Sequence, residues 1–375
     1  MSAKTHIKTL IQHFSSVTDP RLDRKKLHSL TDILVISICA AICGAEEWSE
    51  IELFGKSKKK WFKTFLDLPN GIPSHDTFAR VFARLEPTEF QKCFISWLDY
   101  LKDSVDSDII SIDGKTLRNS FDTASSKAAI HMVSAWSSSN GCVLAQTKVD
   151  EKSNEITAVP KLLELLDLTD CIVTMDAMGC QKDHAAKIMD KGADYVLALK
   201  GNQSGFHQEV IEYCKDAVGS NFDSVQQNKI KTTEKGHGRI ETRHYHLITD
   251  LSWSKKAEQW PGIKAVGVVN SCRKIDGKET SETRFYCTSL DDVKAFAKAV
   301  RKHWNVENQL HWVLDVAFRE DKCRIRKDNA PENFAILRHI ALNLLKKEKS
   351  IKNGIKSKRL NAGWDEAYLF KVLTA

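Results

Sequence analysis

The feature that most constrains the fold is an alternation of strand and helix patterns between residues 105 and 200. Three short apolar runs, "DIISIDGK", "CIVTMDAMG" and "DYVLALKG", have the composition of buried strands. Helical segments precede the second and third runs, and the later of these helices ends at Gly192. Strands that alternate with helices form a largely parallel portion of sheet with helices on its faces. We therefore expect an α/β fold.

The rest of the chain divides into parts around this segment. Residues 1–100 have helical patterns throughout, which predicts a helical N-terminal domain. Residues 105–350 form the α/β domain, and residues 201–285 are polar and strand-like, so we expect a strand-rich insertion there. Residues 351–375 are expected to form a basic C-terminal tail. The stretch "KKEKSIKNGIKSKRL", which leads into this tail, carries seven basic residues and one acidic residue, and could be a solvated helix end or a phosphate contact.

One segment of the N-terminal domain has the pattern of a helix-turn-helix pair. The linker "LPNGIPSHDT" separates "KKKWFKTFLD" from the helical run "SHDTFARVFARLEP". This arrangement could turn Lys58, Lys59, Lys60 and Arg80 toward DNA and give the domain a role in binding DNA ends. The alternative is a helical packing domain whose charged residues are only solvated.

The net charge, the cysteine content and the length of the apolar runs set weak limits on function. The 375 residues carry a net charge of +7, so an anionic partner is allowed but not required. The ten cysteines include no Cys-x-x-Cys pair and are typical of reduced thiols. The longest apolar run, residues 33–45, is shorter than the roughly 20 residues of a membrane helix. We therefore expect a cytoplasmic protein without a membrane partner.

Two aspartates follow strand patterns at what we expect to be one edge of the sheet. Asp113 ends "IISID" and Asp176 ends "CIVTMD", each ahead of a small-residue turn. Ligands of open α/β sheets bind at the carboxyl ends of the strands. A single aspartate in such a place is usually a turn residue or a helix cap, but two of them together favour a binding site.

A third carboxylate, Glu307, stands out within "AFAKAVRKHWNVENQLHWVLDVAFRED". On one continuous helix it would lie within about 60° of an apolar stripe facing the core. That stripe comprises Phe296, Val300, Trp304, Leu310, Leu314 and Phe318. A carboxylate on a buried stripe needs a partner. Together with Asp113 and Asp176, Glu307 would form an oxygen-rich site suited to Mg²⁺ or Mn²⁺.

Six ordered blocks of the sequence resemble one family. They are "SIDGKTLRNS", "EKSNEITAVP", "TMDAMGCQ", "DYVLALKGNQ", "EKGHGRIETR" and "HWNVENQLHWVLDVAFRED". In this order and spacing they resemble the DDE transposases of bacterial insertion sequences, specifically the ISAs-type or H-repeat-associated group. The resemblance spans nearly the whole chain. Six ordered blocks are a strong signal, whereas Asp-Gly-Lys alone would mean nothing.

The resemblance implies a ribonuclease H-like catalytic domain with a strand-rich insertion, preceded by a helical domain. It implies that Asp113, Asp176 and Glu307 are the catalytic carboxylates and hold Mg²⁺ or Mn²⁺, with two ions expected. The implied reaction is cleavage of DNA at the terminal repeats of the element and joining of the 3′-hydroxyl ends to target DNA. The implied setting is the bacterial nucleoid, with a homodimer as one option in the DNA complex.

The sequence departs from the wider relatives of this group at three positions. Those relatives carry Tyr and Arg before the glutamate and Lys after it, where this chain has Val300, His303 and Leu314. Their phosphate-binding roles are therefore not carried over, although Arg301 or His311 could substitute.

Other polar residues are candidates for contacts with DNA. Lys115 and Arg118 follow Asp113 closely and could hold a phosphate, or could be solvated charges. Further candidates leave a strand at the same edge or alternate on a probable strand, namely Lys200, Asn202, Gln203, Arg239 and Arg243. His244 and His246 lie near Arg243, but no acidic or cysteine pattern completes a zinc site there.

Two alternative functions remain open at this level. One is a catalytically inactive, DNA-binding relic of a mobile element, which the presence of all three carboxylates disfavours. The other is a structure-specific metal-dependent nuclease that cuts DNA without joining it.

Overall fold

A computed structural model gives the structure of most of the chain. It describes residues 3–101, 107–121, 128–150, 153–219, 227–236 and 238–375. The domain boundary expected near residue 105 lies outside these ranges.

The strands form one sheet of nine. They are β1 (Ile109–Thr116), β2 (His131–Ser137), β3 (Cys142–Lys148), β4 (Ile172–Met175), β5 (Asp194–Leu199), β6 (Gln227–Gly236), β7 (Arg239–Ile248), β8 (Ala265–Ile275) and β9 (Lys278–Thr288). Their order across the sheet is β3-β2-β1-β4-β5-β9-β8-β7-β6. The first five strands have the order of a ribonuclease H-like domain, in which β1, β4 and β5 pair in parallel and β2 lies antiparallel between β1 and β3. The α/β fold and its parallel portion are therefore confirmed.

The helices cover both faces of the sheet and one end of it. They are α1 (Ala3–Phe14), α2 (Leu30–Ile42), α3 (Trp48–Ser57), α4 (Lys59–Phe62), α5 (His75–Arg84), α6 (Pro87–Leu101), α7 (Glu155–Glu164), α8 (Lys182–Asp190), α9 (Ser204–Gly219), α10 (Val293–His303), α11 (Trp312–Ala317), α12 (Ala330–Lys347), α13 (Ile355–Trp364) and α14 (Glu366–Leu373). In the described part of the chain, no helix is both long enough and apolar enough to cross a bilayer.

The residues expected to form a basic C-terminal tail are instead folded. Helices α13 and α14 pack with the N-terminal helices and α12 in one shared hydrophobic core. Lys358 and Arg359 are buried, and Arg359 donates hydrogen bonds to the carbonyl oxygens of Ala41 and Ala317. The tail prediction was wrong because these long basic side chains can cover apolar surface and satisfy the ends of helices.

The predicted insertion is strand-rich, but it begins with a helix. Helix α9 occupies residues that we expected to be strand-like, and the four strands β6 to β9 follow it. These strands extend the sheet formed by β1 to β5, because β9 pairs antiparallel with β5 from Val196↔Thr288 to Leu199↔Phe285. Helix α10 packs on the extension, where Phe296 lies against Tyr286 with ring centroids 5.6 Å apart. The insertion therefore stands directly beside the parallel strands.

The segment expected to be one continuous helix is broken. After α10, residues Val306–His311 form a π-helical turn, and α11 follows from Trp312. A π-helical turn holds more residues than an α-turn and rotates everything beyond it, and such turns are frequent at functional sites. Five residues of the predicted apolar stripe are buried, but Trp304 is 37% exposed and Glu307 faces solvent. The expectation that Glu307 lies on a core-facing stripe was wrong.

Candidate active site

Backbone register brings Asp113 and Asp176 together. The parallel pairing of β1 with β4 ends at Ile112↔Met175, so the two aspartates are the next residue on each of two neighbouring strands. Asp176 does follow the end of its strand, as predicted. Asp113 does not end β1, because this strand continues through Gly114 and pairs with β2 up to Thr116. The two carboxylates nevertheless meet at the same edge.

The loop after β4 holds Asp176 in place. Its Oδ1 accepts hydrogen bonds from the N–H groups of Met178 at 3.0 Å and Gly179 at 3.2 Å. Burial raises the pKa of the Asp176 carboxyl above its ordinary value; the N–H of Gly179 opposes this, and the Asp113 carboxylate raises the pKa further. The two like charges are therefore close enough to repel each other.

Asn202 and Gln203 hold the same loop from the other side. The Asn202 amide donates to the carbonyl oxygen of Ala177 at 2.5 Å, and the Gln203 amide donates to that of Cys180 at 3.0 Å. Both side chains are candidates for contacts with DNA from the sequence. In the structure their amide groups position the loop that carries Asp176.

Glu307 shares a cavity with the two aspartates. The cavity has a volume of about 260 Å³. Its polar and aromatic lining includes Asp113, Asp176, Lys200, Arg284, His303, Trp304 and Glu307. Lys200 is exposed at this cavity, and its contact with DNA stays a prediction. Glu307 reaches the cavity from the π-helical turn, opposite the strands.

The donor set fits Mg²⁺ or Mn²⁺, although it is open. Carboxylate oxygens are the ligands that these ions prefer. As the side chains stand, no group of three or more Asp, Glu, His or Cys residues within the described ranges is close enough to hold a metal ion. The aspartates thus offer a pair of ligands, and Glu307 would have to close onto them to complete the set.

Two histidines lie beside the carboxylates. His311 Nδ1 is 3.4 Å from Asp113 Oδ2, and His303 Nδ1 is 3.0 Å from the hydroxyl oxygen of Thr174. Burial lowers the pKa of His303, although Asp113 and Asp176 oppose that shift. His311 thus lies against a carboxylate, and not in the open position of a phosphate ligand that we had considered for it.

Lys115 forms ion pairs with two carboxylates that lie far from it in the sequence. Its ammonium forms ion pairs with Asp315 and, at 2.8 Å, with Glu320, which is almost completely buried. Burial lowers the pKa of Lys115, but Glu320 and Asp315 outweigh this effect and raise it overall. From the sequence, Lys115 could hold a phosphate or be a solvated charge; in the structure two carboxylates hold it instead. Arg118, by contrast, is 79% exposed and pairs with Asp321 at 3.2 Å.

Next to the carboxylate cavity lies a cleft lined by arginines. Its volume is about 460 Å³, and its guanidinium groups belong to Arg239, Arg243, Arg273, Arg284 and Arg301. Three of these were predicted as candidates for DNA contacts. Arg273 and Arg284 were missed, because their place in the cleft depends on strand register and not on any local motif. The neighbouring His244 and His246 belong to no metal-binding group in the described part of the chain.

Comparison with known proteins gives a consistent result. A family model described as "Transposase DDE domain" matches residues 104–344, and one described as "DDE_Tnp_1-associated" matches residues 11–98. The chain is 45% identical to "Putative transposase YncI" of Escherichia coli O157:H7, over 98% of this chain and 95% of that protein. It is 43% identical to "H repeat-associated putative transposase YhhI" of Escherichia coli (strain K12), over 98% of each.

Among solved structures, the chain is similar to a piggyBac transposase synaptic complex with hairpin DNA. The match covers 100% of this chain and 79% of that chain, with 13% sequence identity and a TM-score of 0.45. A likeness this weak supports no statement about this protein. The family match over residues 104–344 and the two full-length relatives are sufficient: the chain belongs to the DDE transposase family.

Proposed function

We propose that this protein is a metal-dependent transposase that cleaves DNA at the ends of its element and joins the freed 3′-hydroxyl groups to target DNA. The observation that carries the proposal is the register match of Asp113 and Asp176 on neighbouring parallel strands, with Glu307 in the same cavity. A bound pair of Mg²⁺ ions would supply activation of a water or hydroxyl nucleophile and stabilisation of the leaving oxygen in an in-line displacement.

The residues of this chain have separate tasks in that reaction. Asp113, Asp176 and Glu307 would hold the ions, and the loop that Asn202 and Gln203 fix keeps Asp176 at the strand edge. Lys200, exposed at the mouth of the cavity, contacts the backbone phosphates of the DNA. His311 orients Asp113 from the side.

The proposal is tested by incubating the purified protein with Mg²⁺ and DNA that carries the inverted repeats flanking its gene. We expect nicks at the repeat ends and products in which those ends are joined to a second DNA. Nicks without joined products would support the structure-specific nuclease. Binding without nicks, by a protein whose melt shows that it is folded, would support the inactive relic.

Replacing Asp176 by Asn is expected to raise the melting temperature of the metal-free protein. A carboxyl whose pKa is raised by folding binds protons more readily in the folded state, so stability falls as the pH rises through that pKa. Asn keeps the acceptor for Met178 and Gly179 and removes the repulsion with Asp113. Thermal melts at neutral pH check this.

The same melts report the metal directly. At about 100 times its dissociation constant, Mg²⁺ would stabilise the wild-type protein by about 2.7 kcal/mol, and Asp176→Asn should lose most of that gain. An equal gain in both proteins would mean that the ion binds elsewhere.

DNA binding is expected to weaken steeply with salt. Lys59, Lys60 and Arg80 are exposed in the N-terminal part of the chain, and each phosphate that such a residue neutralises releases counterions. Lys58 is half-buried and pairs with Glu366 at 3.1 Å, so we expect it to contribute less. Titrations at several salt concentrations should give a log–log slope of several units. A slope near zero would show that the protein does not bind DNA through phosphate contacts.

A further inference from the structure

The arginine cleft is built by strand register on one face of the insertion sheet. Alternate residues of β7, namely Arg239, Glu241 and Arg243, point to the same face because side chains alternate along a strand. Glu241 pairs in register with Arg273 of β8 and with Glu234 of β6. An ion pair joins Glu241 to Arg273, and Glu234 pairs with Arg243, its diagonal neighbour on β7. The backbone pairing itself therefore brings these opposite charges together.

Glu241 is the centre of this arrangement. It is 6% exposed, yet it lies among three guanidinium groups. Its carboxylate oxygens are 2.7 Å from Arg243 Nη2, 3.3 Å from Arg273 Nη2 and 3.9 Å from Arg239 Nε. A buried carboxylate is costly unless it is paired, and one carboxylate cannot neutralise three guanidinium groups. Glu241 therefore holds these arginines in place. Part of their positive charge is not neutralised by Glu241 and can attract another anion.

A second carboxylate, Glu234, links the cleft to α10. Its Oε1 accepts from Arg301 Nε and its Oε2 from Arg301 Nη2, both at 3.0 Å, and Arg243 Nη1 lies 3.2 Å from the same Oε2. Glu282 pairs with Arg284, and Glu307 also lines the cleft, so four carboxylates face five arginines and one positive charge is left over. Arg301 is 43% exposed, so an incoming phosphate has access to it, whereas Arg243 is 12% exposed.

The cleft opens onto the proposed catalytic cavity. Arg284, Trp304 and Glu307 line both spaces, and the Arg284 guanidinium stacks 4.9 Å from the centre of the Trp304 ring. About 460 Å³ is within the range of roughly 300–1,000 Å³ that is typical of small-molecule sites, which suits a few units of one strand and not a duplex. Guanidinium groups bind phosphate through paired hydrogen bonds.

We propose that the arginine cleft binds the phosphates of a single DNA strand next to the cleaved bond, and that Glu241 is the positioning residue that arranges its arginines. The proposal rests on the proposed function for the identity of the strand. The cleft is a phosphate site in its own right, so it can be tested by binding without metal and without cleavage.

The first test uses Glu241→Gln, with Glu279→Gln as its control. Both variants remove one negative charge from the same β-strand ribbon, but Glu279 lies outside the cleft and contacts Cys272. Fluorescence anisotropy with a labelled single-stranded oligonucleotide measures affinity in the absence of metal. If charge alone mattered, both variants would bind more tightly. We expect Glu279→Gln to do so slightly, and Glu241→Gln to bind roughly tenfold more weakly, because the arginines lose their arrangement.

The second test does not depend on a buried substitution. Arg239→Gln removes a partly exposed cleft arginine, and Lys274→Gln removes the same charge from the opposite face of the neighbouring strand. We expect Arg239→Gln to reduce the log–log salt slope for the single strand by about 0.7, and Lys274→Gln to leave it unchanged. Equal effects of the two variants would mean that DNA is attracted only by the overall positive charge of the ribbon, which would contradict a specific site in the cleft. No effect of Arg239→Gln would also overturn the proposal.

Two further measurements distinguish a failure of the cleft proposal from a failure of the proposed function. A blunt duplex of the same sequence should lose less slope than the single strand in Arg239→Gln, and an equal loss would contradict a single-strand site. If the wild-type protein binds the oligonucleotide through the cleft but never cleaves element ends, the proposed function fails and the cleft stands. If the protein cleaves element ends and neither variant changes single-strand binding, the cleft proposal fails and the proposed function is unaffected.

Discussion

Asp113→Asn is expected to lower the rate of Mg²⁺-dependent DNA cleavage by about a thousandfold or more while leaving DNA binding intact. Metal ions contribute several kcal/mol to such transition states, and each 1.36 kcal/mol is a factor of about ten in rate. Asn keeps the size of the side chain but is a poor ligand for Mg²⁺. Removal of one negative charge beside Asp176 also reduces repulsion toward phosphate, so affinity for DNA should be equal or slightly higher.

A matched control is available on the same sheet. Asp150 follows β3, is largely exposed and pairs with Lys161 at 2.8 Å, outside the carboxylate cavity. Asp150→Asn should cleave at the wild-type rate. Single-turnover cleavage assays and DNA titrations on both variants make the comparison. Near wild-type cleavage by a folded Asp113→Asn protein would show that Asp113 is not a metal ligand.

The second large effect is on stability. Glu320→Gln is expected to lower the free energy of unfolding by about 3–5 kcal/mol, because it removes one partner from a buried charge network. Glu320 bonds to Lys115 at 2.8 Å and lies 3.7 Å from Arg338, and all three side chains are largely buried. Burial raises the pKa of Glu320, but Lys115 and Arg338 outweigh it and hold that pKa below its ordinary value. Its stabilising contribution is therefore lost only as the pH falls into the acid range.

The neighbouring Asp321 provides the comparison for this prediction. Asp321 pairs with Arg118, which is mostly exposed, so Asp321→Asn should cost no more than about 1 kcal/mol. Denaturant melts of both variants measure the difference. Equal midpoints would mean that the Lys115 cluster does not stabilise the fold.

The position of Glu320 also differs from what one continuous helix would give. Such a helix would place Glu320 about 20 Å along its axis from Glu307. In the structure the helix ends earlier, and Arg319 adopts a left-handed backbone conformation with φ of 48° that turns Glu320 inward. Helical geometry was a poor guide beyond the π-helical turn, since nothing in the local sequence marks where such a turn occurs.

Other parts of the structure were readable from sequence for physical reasons. The strand periodicity around Asp113 and Asp176 placed both at one edge, because parallel strands meet at their carboxyl ends. The arginine cleft was only partly readable. Strand alternation grouped Arg239 with Arg243, but Arg273 and Arg284 join them through the pairing of β7, β8 and β9, which is a long-range property. The C-terminal helices were missed because a basic pattern does not distinguish solvated lysines from buried ones.

The most direct test of the central claim is an anomalous difference map from crystals of the protein grown with DNA and Mn²⁺. We expect one or two peaks between the carboxylates of Asp113 and Asp176, with metal–oxygen distances of about 2.1 Å. The carboxylate of Glu307 should close onto one of these peaks. Two peaks should be roughly 3.5–4 Å apart. Peaks elsewhere on the protein, or an empty carboxylate cavity at saturating Mn²⁺, would contradict it.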